Sequence, residues 1–109
     1  MPIKITSNGR VTIPKRVADS TSAWAIYAIL LADAATRDRV QTSLKEDGVP
    51  TAIYYPRPLH RQPAYSAQHD GSGLPVSEDL AGRILALPIH PDLTDADVDR
   101  ICEAVLSAV

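Results

Sequence analysis

Cysteine is almost absent from this sequence of 109 residues: Cys102 is the only one, so no disulfide can form within the chain. Long hydrophobic segments are also absent. The longest apolar run, residues 23–32, has ten residues, whereas a transmembrane helix needs about 20. The N-terminus shows no apolar stretch typical of a secretory signal. We therefore expect a small domain without a membrane span, located in the reducing cytoplasm.

Several motifs that carry chemistry are missing as well. The sequence has neither a G-x-x-x-x-G-K-S/T phosphate loop nor a G-x-G-x-x-G loop, and no C-x-x-C or H-x-x-x-H pair. The three histidines, His60, His69 and His90, are spread over about thirty residues, which is not the spacing of a typical zinc site. We therefore predict no metal site.

Charge is unevenly distributed along the chain. Residues 1–17 carry a net charge of +4 and no acidic residue, whereas residues 18–109 contain 7 basic and 13 acidic residues. Within the first segment, residues 3–6 and 10–13 alternate in polarity on either side of Ser7-Asn8-Gly9, which predicts a β-hairpin with an Asn-Gly turn. We therefore divide the chain into a basic N-terminal hairpin, residues 1–17, and a domain of residues 18–109.

Hydrophobic periodicity predicts the elements of the second part. The predicted order is a strand at about residues 24–31, a helix at 35–47, a strand at 49–55, a helix at 76–84, a strand at 85–89 and a last helix that begins after Thr94. The first of these strands is apolar on both faces, which is typical of an interior strand. The order β-α-β-α-β-α predicts an α/β fold, an α+β sandwich with helices over one small sheet.

The last helix has the clearest signals. Thr94 precedes an acidic first turn that contains Asp95 and Asp97, as expected for an N-cap and for the helix dipole. An apolar stripe at helical spacing follows, formed by Val98, Ile101, Cys102, Val105 and Val109. A small thiol on such a stripe is normally buried, so we expect Cys102 to pack in the core rather than to act as a nucleophile.

The densest group of polar side chains lies at the end of the predicted strand 49–55 and just beyond it. Its members are Tyr54, Tyr55, Arg57, His60, Arg61, Gln62 and Tyr65, with prolines at positions 56, 58 and 63. A stiff segment at a strand end can hold polar groups toward a ligand at little entropic cost. The alternative interpretation is a polar loop whose tyrosines cover the sheet edge and whose arginines are solvated. Composition alone does not decide between the two.

Several landmarks, in order along the chain, resemble one enzyme family. They are Thr21-Ser22-Ala23-Trp24-Ala25-Ile26-Tyr27, Arg37-Asp38-Arg39, Gly48-Val49-Pro50-Thr51, the segment from Tyr54 to Tyr65, Leu74-Pro75-Val76, and Leu85-Ala86-Leu87-Pro88-Ile89-His90-Pro91. From about residue 17 to residue 109 the chain resembles the C-terminal small domain of the DegT/DnrJ/StrS family of pyridoxal-phosphate-dependent nucleotide-sugar aminotransferases.

The resemblance implies a substrate site in the tyrosine-rich segment. Tyr54, Tyr55, His60 and Gln62 would contact the nucleotide sugar, since phenols, imidazoles and amides hydrogen-bond sugar hydroxyls and phosphates. Many family members carry His-Tyr where this chain has Tyr54-Tyr55. The family's small domain packs against a large domain, so the implied partners are that domain or a homodimer partner.

The resemblance also implies pyridoxal phosphate as the cofactor. In the family, a lysine and an acidic residue of the large domain hold it. None of this chain's lysines, Lys4, Lys15 and Lys45, lies in the motif of the cofactor lysine. We therefore expect a truncated or split enzyme whose isolated chain has no catalytic residues and does not transaminate.

A second resemblance covers residues 3–17 only. These residues resemble the opening of AbrB-type swapped-hairpin DNA-binding domains, and Lys4, Arg10, Lys15 and Arg16 could contact phosphates. The chain lacks that family's continuation into a short helix and a second hairpin. The alternative function is therefore a small DNA-binding or regulatory protein, although we expect nucleic acid not to be a partner.

Overall fold

The computed structural model describes residues 23–109 and, nearer the N-terminus, two short strands, β1 (Lys4–Ile5) and β2 (Val11–Thr12). These two strands pair antiparallel, with Lys4 opposite Thr12 and Ile5 opposite Val11. The antiparallel pairing predicted for the N-terminal segment is thereby confirmed. The predicted Asn-Gly turn and the rest of residues 1–22 lie outside the described residues.

A second antiparallel pair organises the remainder of the chain. It joins β3 (Tyr27–Leu30) to β4 (Ile84–Leu87), in a register that runs from Tyr27 opposite Leu87 to Leu30 opposite Ile84. Ala52 forms a single antiparallel bridge to Ala86, which Ala28 also faces from β3. β4 therefore lies in the middle of this small sheet, between β3 and the segment that contains Ala52.

Four α-helices and one 3₁₀ turn complete the described structure. They are α1 (Ala34–Glu46), a 3₁₀ helix (Leu59–Arg61), α2 (Pro63–Ser66), α3 (Pro75–Arg83) and α4 (Asp95–Ala108). None of the described helices is long and apolar enough to cross a bilayer. The mixture of helices and strands agrees with the predicted α/β class.

Helix α1 shows how local sequence sets an element's ends. The carboxylate of Asp33 accepts the backbone N–H of Thr36 at 2.7 Å, which caps the N-terminus. At the other end, Gly48 has a φ of 73°, a left-handed conformation that favours glycine. The N–H of Val49 then donates to the carbonyl of Leu44 at 2.8 Å, which closes the turn.

The core lies where α1 and α4 meet β4. Its buried members are Leu31, Val40, Leu44, Val49 and Leu85. Helix α4 adds a partly buried face formed by Ile101, Ala104, Val105 and Ala108. These four positions have the i, i+3, i+4, i+7 spacing of one helix face.

That face contains Ile101 and Val105 of the stripe predicted for α4, but not the other three residues of that stripe. Cys102, which we expected in the core, is exposed with a free thiol, and Val98 and Val109 are exposed too. The packed face is completed by Ala104 and Ala108, whose small side chains allow the helix to lie close to the core. The prediction of a buried Cys102 is therefore wrong.

Two strand predictions also need correction. The strand predicted at residues 24–31 is present at Tyr27–Leu30, but it is mostly exposed and pairs only with β4, so it is not an interior strand within the described residues. The strand predicted at residues 49–55 is reduced to the bridge at Ala52. Pro50 and Pro56 lack an N–H donor, which limits the ladder that this segment can form.

Candidate functional site

The polar segment after Ala52 is shaped by its prolines. Pro58 precedes the 3₁₀ helix and its carbonyl accepts the N–H of Arg61 at 2.9 Å. Pro63 is the first residue of α2, where its missing N–H costs nothing. The segment therefore adopts two short helical turns, and we call residues 54–66 the tyrosine loop.

Tyr54 and Tyr55 stand at the start of the tyrosine loop. Their side chains are exposed, at 44% and 68% of the residue surface, and their rings meet edge to face with centroids 5.6 Å apart. Because the two rings pack against each other, their hydroxyl groups are held in a defined relative position. This arrangement suits recognition of a hydroxyl-rich or phosphate-bearing ligand.

The two tyrosines line a cleft between the tyrosine loop and α3, which we call the tyrosine cleft. It has a volume of about 270 Å³. Its loop wall consists of Tyr54, Tyr55, Arg57, Pro58 and Leu59, and its helix wall of Ser77, Leu80 and Ala81, with Ile84 at the start of β4 completing the lining. Within residues 23–109 no carboxylate pairs with the exposed Arg57. The cleft thus combines an apolar wall with two phenols and one guanidinium.

His60 is placed differently. Its side chain is only 6% exposed, and its Nε2 lies 2.9 Å from Oε1 of Glu78 on α3. The same oxygen also accepts hydrogen bonds from Nε and Nη2 of Arg61, at 3.1 and 2.9 Å. Since an ionised carboxylate can only accept hydrogen bonds, Nε2 of His60 carries the hydrogen.

These bonds control the ionisation of Glu78. The hydrogen bond from His60, followed by that from Arg61, lowers the pKa of the Glu78 carboxyl from 4.5 to about 2. A carboxyl whose pKa is depressed on folding stabilises the fold above its unfolded pKa. The stabilisation from this group is therefore present at neutral pH and is lost as the pH falls from about 4.5 toward 2.

Gln62 also makes an internal bond. Its Nε2 donates to the carbonyl of Arg57 at 3.0 Å, which braces the loop next to the tyrosine cleft. The four predicted site residues thus fall into two pairs. Tyr54 and Tyr55 line the cleft, whereas His60 and Gln62 bond within the protein. Their contact with substrate stays a prediction.

A second cleft adjoins the first across Leu59 and Ser77. It has a volume of about 330 Å³ and is also lined by His60, Tyr65, Gln68, His69 and Leu74. The rings of His60 and His69 have centroids 5.0 Å apart. Packing of His69 against His60 joins the residues after α2 to the tyrosine loop.

Sequence reasoning did not identify Glu78 as a part of this region. Glu78 lies 18 residues after His60, in the first turn of a helix, where an acid is ordinary. Arg57 was noted in the polar segment but was not assigned a role. Its difference from Arg61, which is paired with Glu78, emerges only from the three-dimensional contacts.

The described residues offer little to hold a metal or a covalent cofactor. Residues 23–109 bring no three His, Cys, Asp or Glu side chains together as a metal-binding group. Their one lysine, Lys45, is exposed near the end of α1 and lines neither of the two clefts. Pyridoxal phosphate, which needs an enclosed lysine, therefore does not fit residues 23–109.

Comparison with known proteins gives consistent matches over most of the chain. Residues 4–106 match the sequence model of the DegT/DnrJ/EryC1/StrS aminotransferase family. The match includes β1 and β2, the region that resembled an AbrB-type hairpin. The UDP-2-acetamido-2-deoxy-3-oxo-D-glucuronate aminotransferase of Pseudomonas aeruginosa is 41% identical over 87 residues, which are 80% of this chain and 23% of that protein.

Solved structures give the same result. The crystal structure of a DegT DnrJ EryC1 StrS aminotransferase from Brucella abortus is 43% identical, with a TM-score of 0.67 over 87% of this chain and 25% of that one. NtdA from Bacillus subtilis, solved with bound cofactor PMP, is 30% identical, with a TM-score of 0.67 over 76% of this chain and 20% of that one. The chain spans about a quarter of the length of these proteins.

Proposed function

Since this chain belongs to the DegT/DnrJ/EryC1/StrS aminotransferase family, we propose that it forms the substrate side of a site that transfers an amino group to a nucleotide-linked keto-sugar. Support comes from the tyrosine cleft, where Tyr54, Tyr55 and Arg57 stand on one wall. The Pseudomonas aeruginosa relative, a UDP-sugar aminotransferase, supports the same class of substrate.

Pyridoxal phosphate supplies the amino-transfer chemistry of this family. Because residues 23–109 do not fit it, we propose that the cofactor and its lysine belong to a larger domain, on the same polypeptide or on another chain. The role of the present residues is then to bind and orient the sugar nucleotide. By this proposal, residues 23–109 alone have no transaminase activity.

Arg57 is the residue we propose for the diphosphate of the substrate. Pro56 and Pro58 flank it, and Gln62 holds its carbonyl. A guanidinium at a cleft wall, without a carboxylate partner among residues 23–109, suits bidentate bonds to phosphate oxygens. The phenols of Tyr54 and Tyr55 are then in reach of sugar hydroxyls.

A covering protein surface is the second part of the proposal. Trp24, Ile26, Tyr27 and Leu30 are all exposed on or next to β3. Such a concentration of large apolar side chains is typical of a protein–protein contact. We propose that the larger domain or a second subunit covers it.

A chimeric enzyme tests the substrate role. The matching quarter of the Pseudomonas aeruginosa relative is replaced by residues 17–109 of this chain, and KM and kcat are measured with that relative's UDP-sugar. We expect Tyr55→Phe to raise KM by about 2- to 10-fold and Arg57→Ala by about 10- to 100-fold, because a bond to a charged group contributes more than a neutral one.

Arg39→Ala is the matched control, since Arg39 is an exposed arginine on α1 that does not line the tyrosine cleft. A KM that stays at the control value in both Tyr55→Phe and Arg57→Ala would remove this cleft from the substrate site.

The DNA-binding alternative has less support. The family match begins at residue 4, so it takes in most of the basic N-terminal segment. The division of the chain at residue 17 stays a prediction.

A further inference from the structure

We propose that Glu78 is a positioning residue that clamps the tyrosine loop onto α3 and thereby sets the width of the tyrosine cleft. We call the three side chains involved, Glu78, His60 and Arg61, the clasp. The inference rests on the proposed function only in the experiment that measures substrate affinity; the other experiments test the clasp by itself.

The clasp is a compact set of charge-assisted bonds. One carboxylate oxygen, Oε1 of Glu78, accepts three N–H groups from two successive loop residues, at distances between 2.9 and 3.1 Å. Bonds of this type are stronger than those between neutral groups. The ionised state that the bonds favour in Glu78 keeps the clasp closed at neutral pH.

Little else holds the tyrosine loop in place. Within residues 54–66, His60 is the only buried residue, and no residue of this range belongs to the buried core cluster. The hydrophobic effect therefore contributes little to the position of the loop as a whole. The buried imidazole of His60 and its bond to Glu78 are the main attachment of the loop to α3.

The clasp spans the two walls of the tyrosine cleft. Tyr54, Tyr55 and Arg57 are on the loop wall, and Ser77, the neighbour of Glu78, is on the helix wall. A bond between loop and helix at this point determines how far apart the walls stand. Loss of the bond lets the loop wall move, and the two phenols move with it.

The clasp also changes the expected role of His60. Its Nε2 is bound to Glu78 and its ring is buried, so its contribution to substrate binding passes through the loop position. In this view, removing His60 and removing Glu78 have the same consequence. The family resemblance instead implied a direct contact between His60 and substrate.

Amide hydrogen exchange of the 109-residue chain tests the clasp without any activity. We expect Glu78→Ala to accelerate exchange of residues 59–66 at least about tenfold, because the loop loses its charged anchor. Glu78→Gln keeps a neutral acceptor and should have a smaller effect. Asp79→Ala is the control: it removes the adjacent acid of α3, which pairs with Arg83 and not with the loop.

Urea unfolding of the same variants separates the clasp from general stability. Glu78→Ala should lower the unfolding midpoint somewhat more than Asp79→Ala, because the ionised Glu78 stabilises the fold, but far less than the loss of a core residue would. Exchange of residues 59–66 that does not change in Glu78→Ala overturns the proposal. Faster exchange throughout residues 23–109 overturns it too, since a general loss of structure is then the cause.

Substrate kinetics in the chimera add a coupling test. We expect His60→Ala, Glu78→Ala and the double variant to raise KM by similar factors with kcat nearly unchanged, because all three release the same loop. Factors that multiply in the double variant overturn the positioning role of His60. A faster exchange of the loop with an unchanged KM supports the clasp and counts against the proposed substrate site.

Discussion

Strands β3 and β4 are paired residue by residue and are both apolar, but their surroundings differ. Leu85 of β4 is fully buried, whereas Leu30 of β3 is 51% exposed. β4 runs between β3 and Ala52, and its Leu85 is in the core that α1 and α4 cover, whereas β3 pairs on one edge only within residues 23–109. An apolar strand sequence therefore predicts that the strand becomes buried. Which elements bury it depends on other parts of the molecule.

The largest expected effect on stability distinguishes the buried strand β4 from the exposed strand β3. Leu85→Ala should lower the free energy of unfolding by about 2–5 kcal/mol, because it opens a cavity in the core. Leu30→Ala should change it by no more than about 0.5 kcal/mol, as for a surface residue. Urea unfolding measures both. Equal losses would mean that β3 is covered in solution, and repeating the measurement at a lower protein concentration would show whether a second copy covers it.

A smaller effect concerns the junction where α3 passes into β4. Nη1 of the buried Arg37 donates to the carbonyls of Ala81 and Ile84, at 3.2 and 3.4 Å. We expect Arg37→Met to cost about 1–3 kcal/mol, since it leaves both carbonyls without this donor. Arg39→Met is the control on the same helix, where the side chain is exposed. Equal stability of the two variants in urea would show that Arg37 does not hold this junction.

The smallest expected effect on stability concerns the N-terminus of α4, the helix that packs against the core. Thr94 accepts the N–H of Asp97 at 3.2 Å, and the carboxylate of Asp97 accepts the N–H of Thr94 at 2.9 Å, a reciprocal capping box. Thr94→Ala should cost about 1 kcal/mol. Ser107→Ala, at the exposed far end of α4, should leave the unfolding midpoint unchanged. A midpoint for Thr94→Ala equal to that of Ser107→Ala would contradict this prediction.

The three longer helices, α1, α3 and α4, were predictable to within a residue or two because their signals are local, whereas the short α2 and the 3₁₀ helix were not predicted. Gly48 ends α1 as predicted, and Thr94 caps α4 as predicted. The strand predicted at residues 49–55 failed because strand formation needs a partner edge, and only Ala52 finds one. The stripe predicted for α4 was right at Ile101 and Val105 and wrong at Cys102, because the direction from which the core meets the helix is set by packing and not by the spacing of apolar residues alone.

The candidate site was predictable in part for the same reason. The tyrosine loop is recognisable from the sequence, because Tyr54 and Tyr55 open a segment rich in proline and polar side chains. The buried state of His60 was not predictable, because it depends on Glu78, which is remote in the sequence. The different environments of Arg57 and Arg61 likewise depend on where α3 lies.

By itself, the sequence determined the three longer helices, the Gly48 end of α1, the Thr94 cap of α4 and the loop that carries the tyrosines, because these depend on neighbours within about one helical turn. Only the tertiary structure decided that Leu30 stays exposed while Leu85 is buried, and that Glu78 closes on His60. Burial and ion pairing depend on distances between residues far apart in the chain, and these distances are established only when the elements pack.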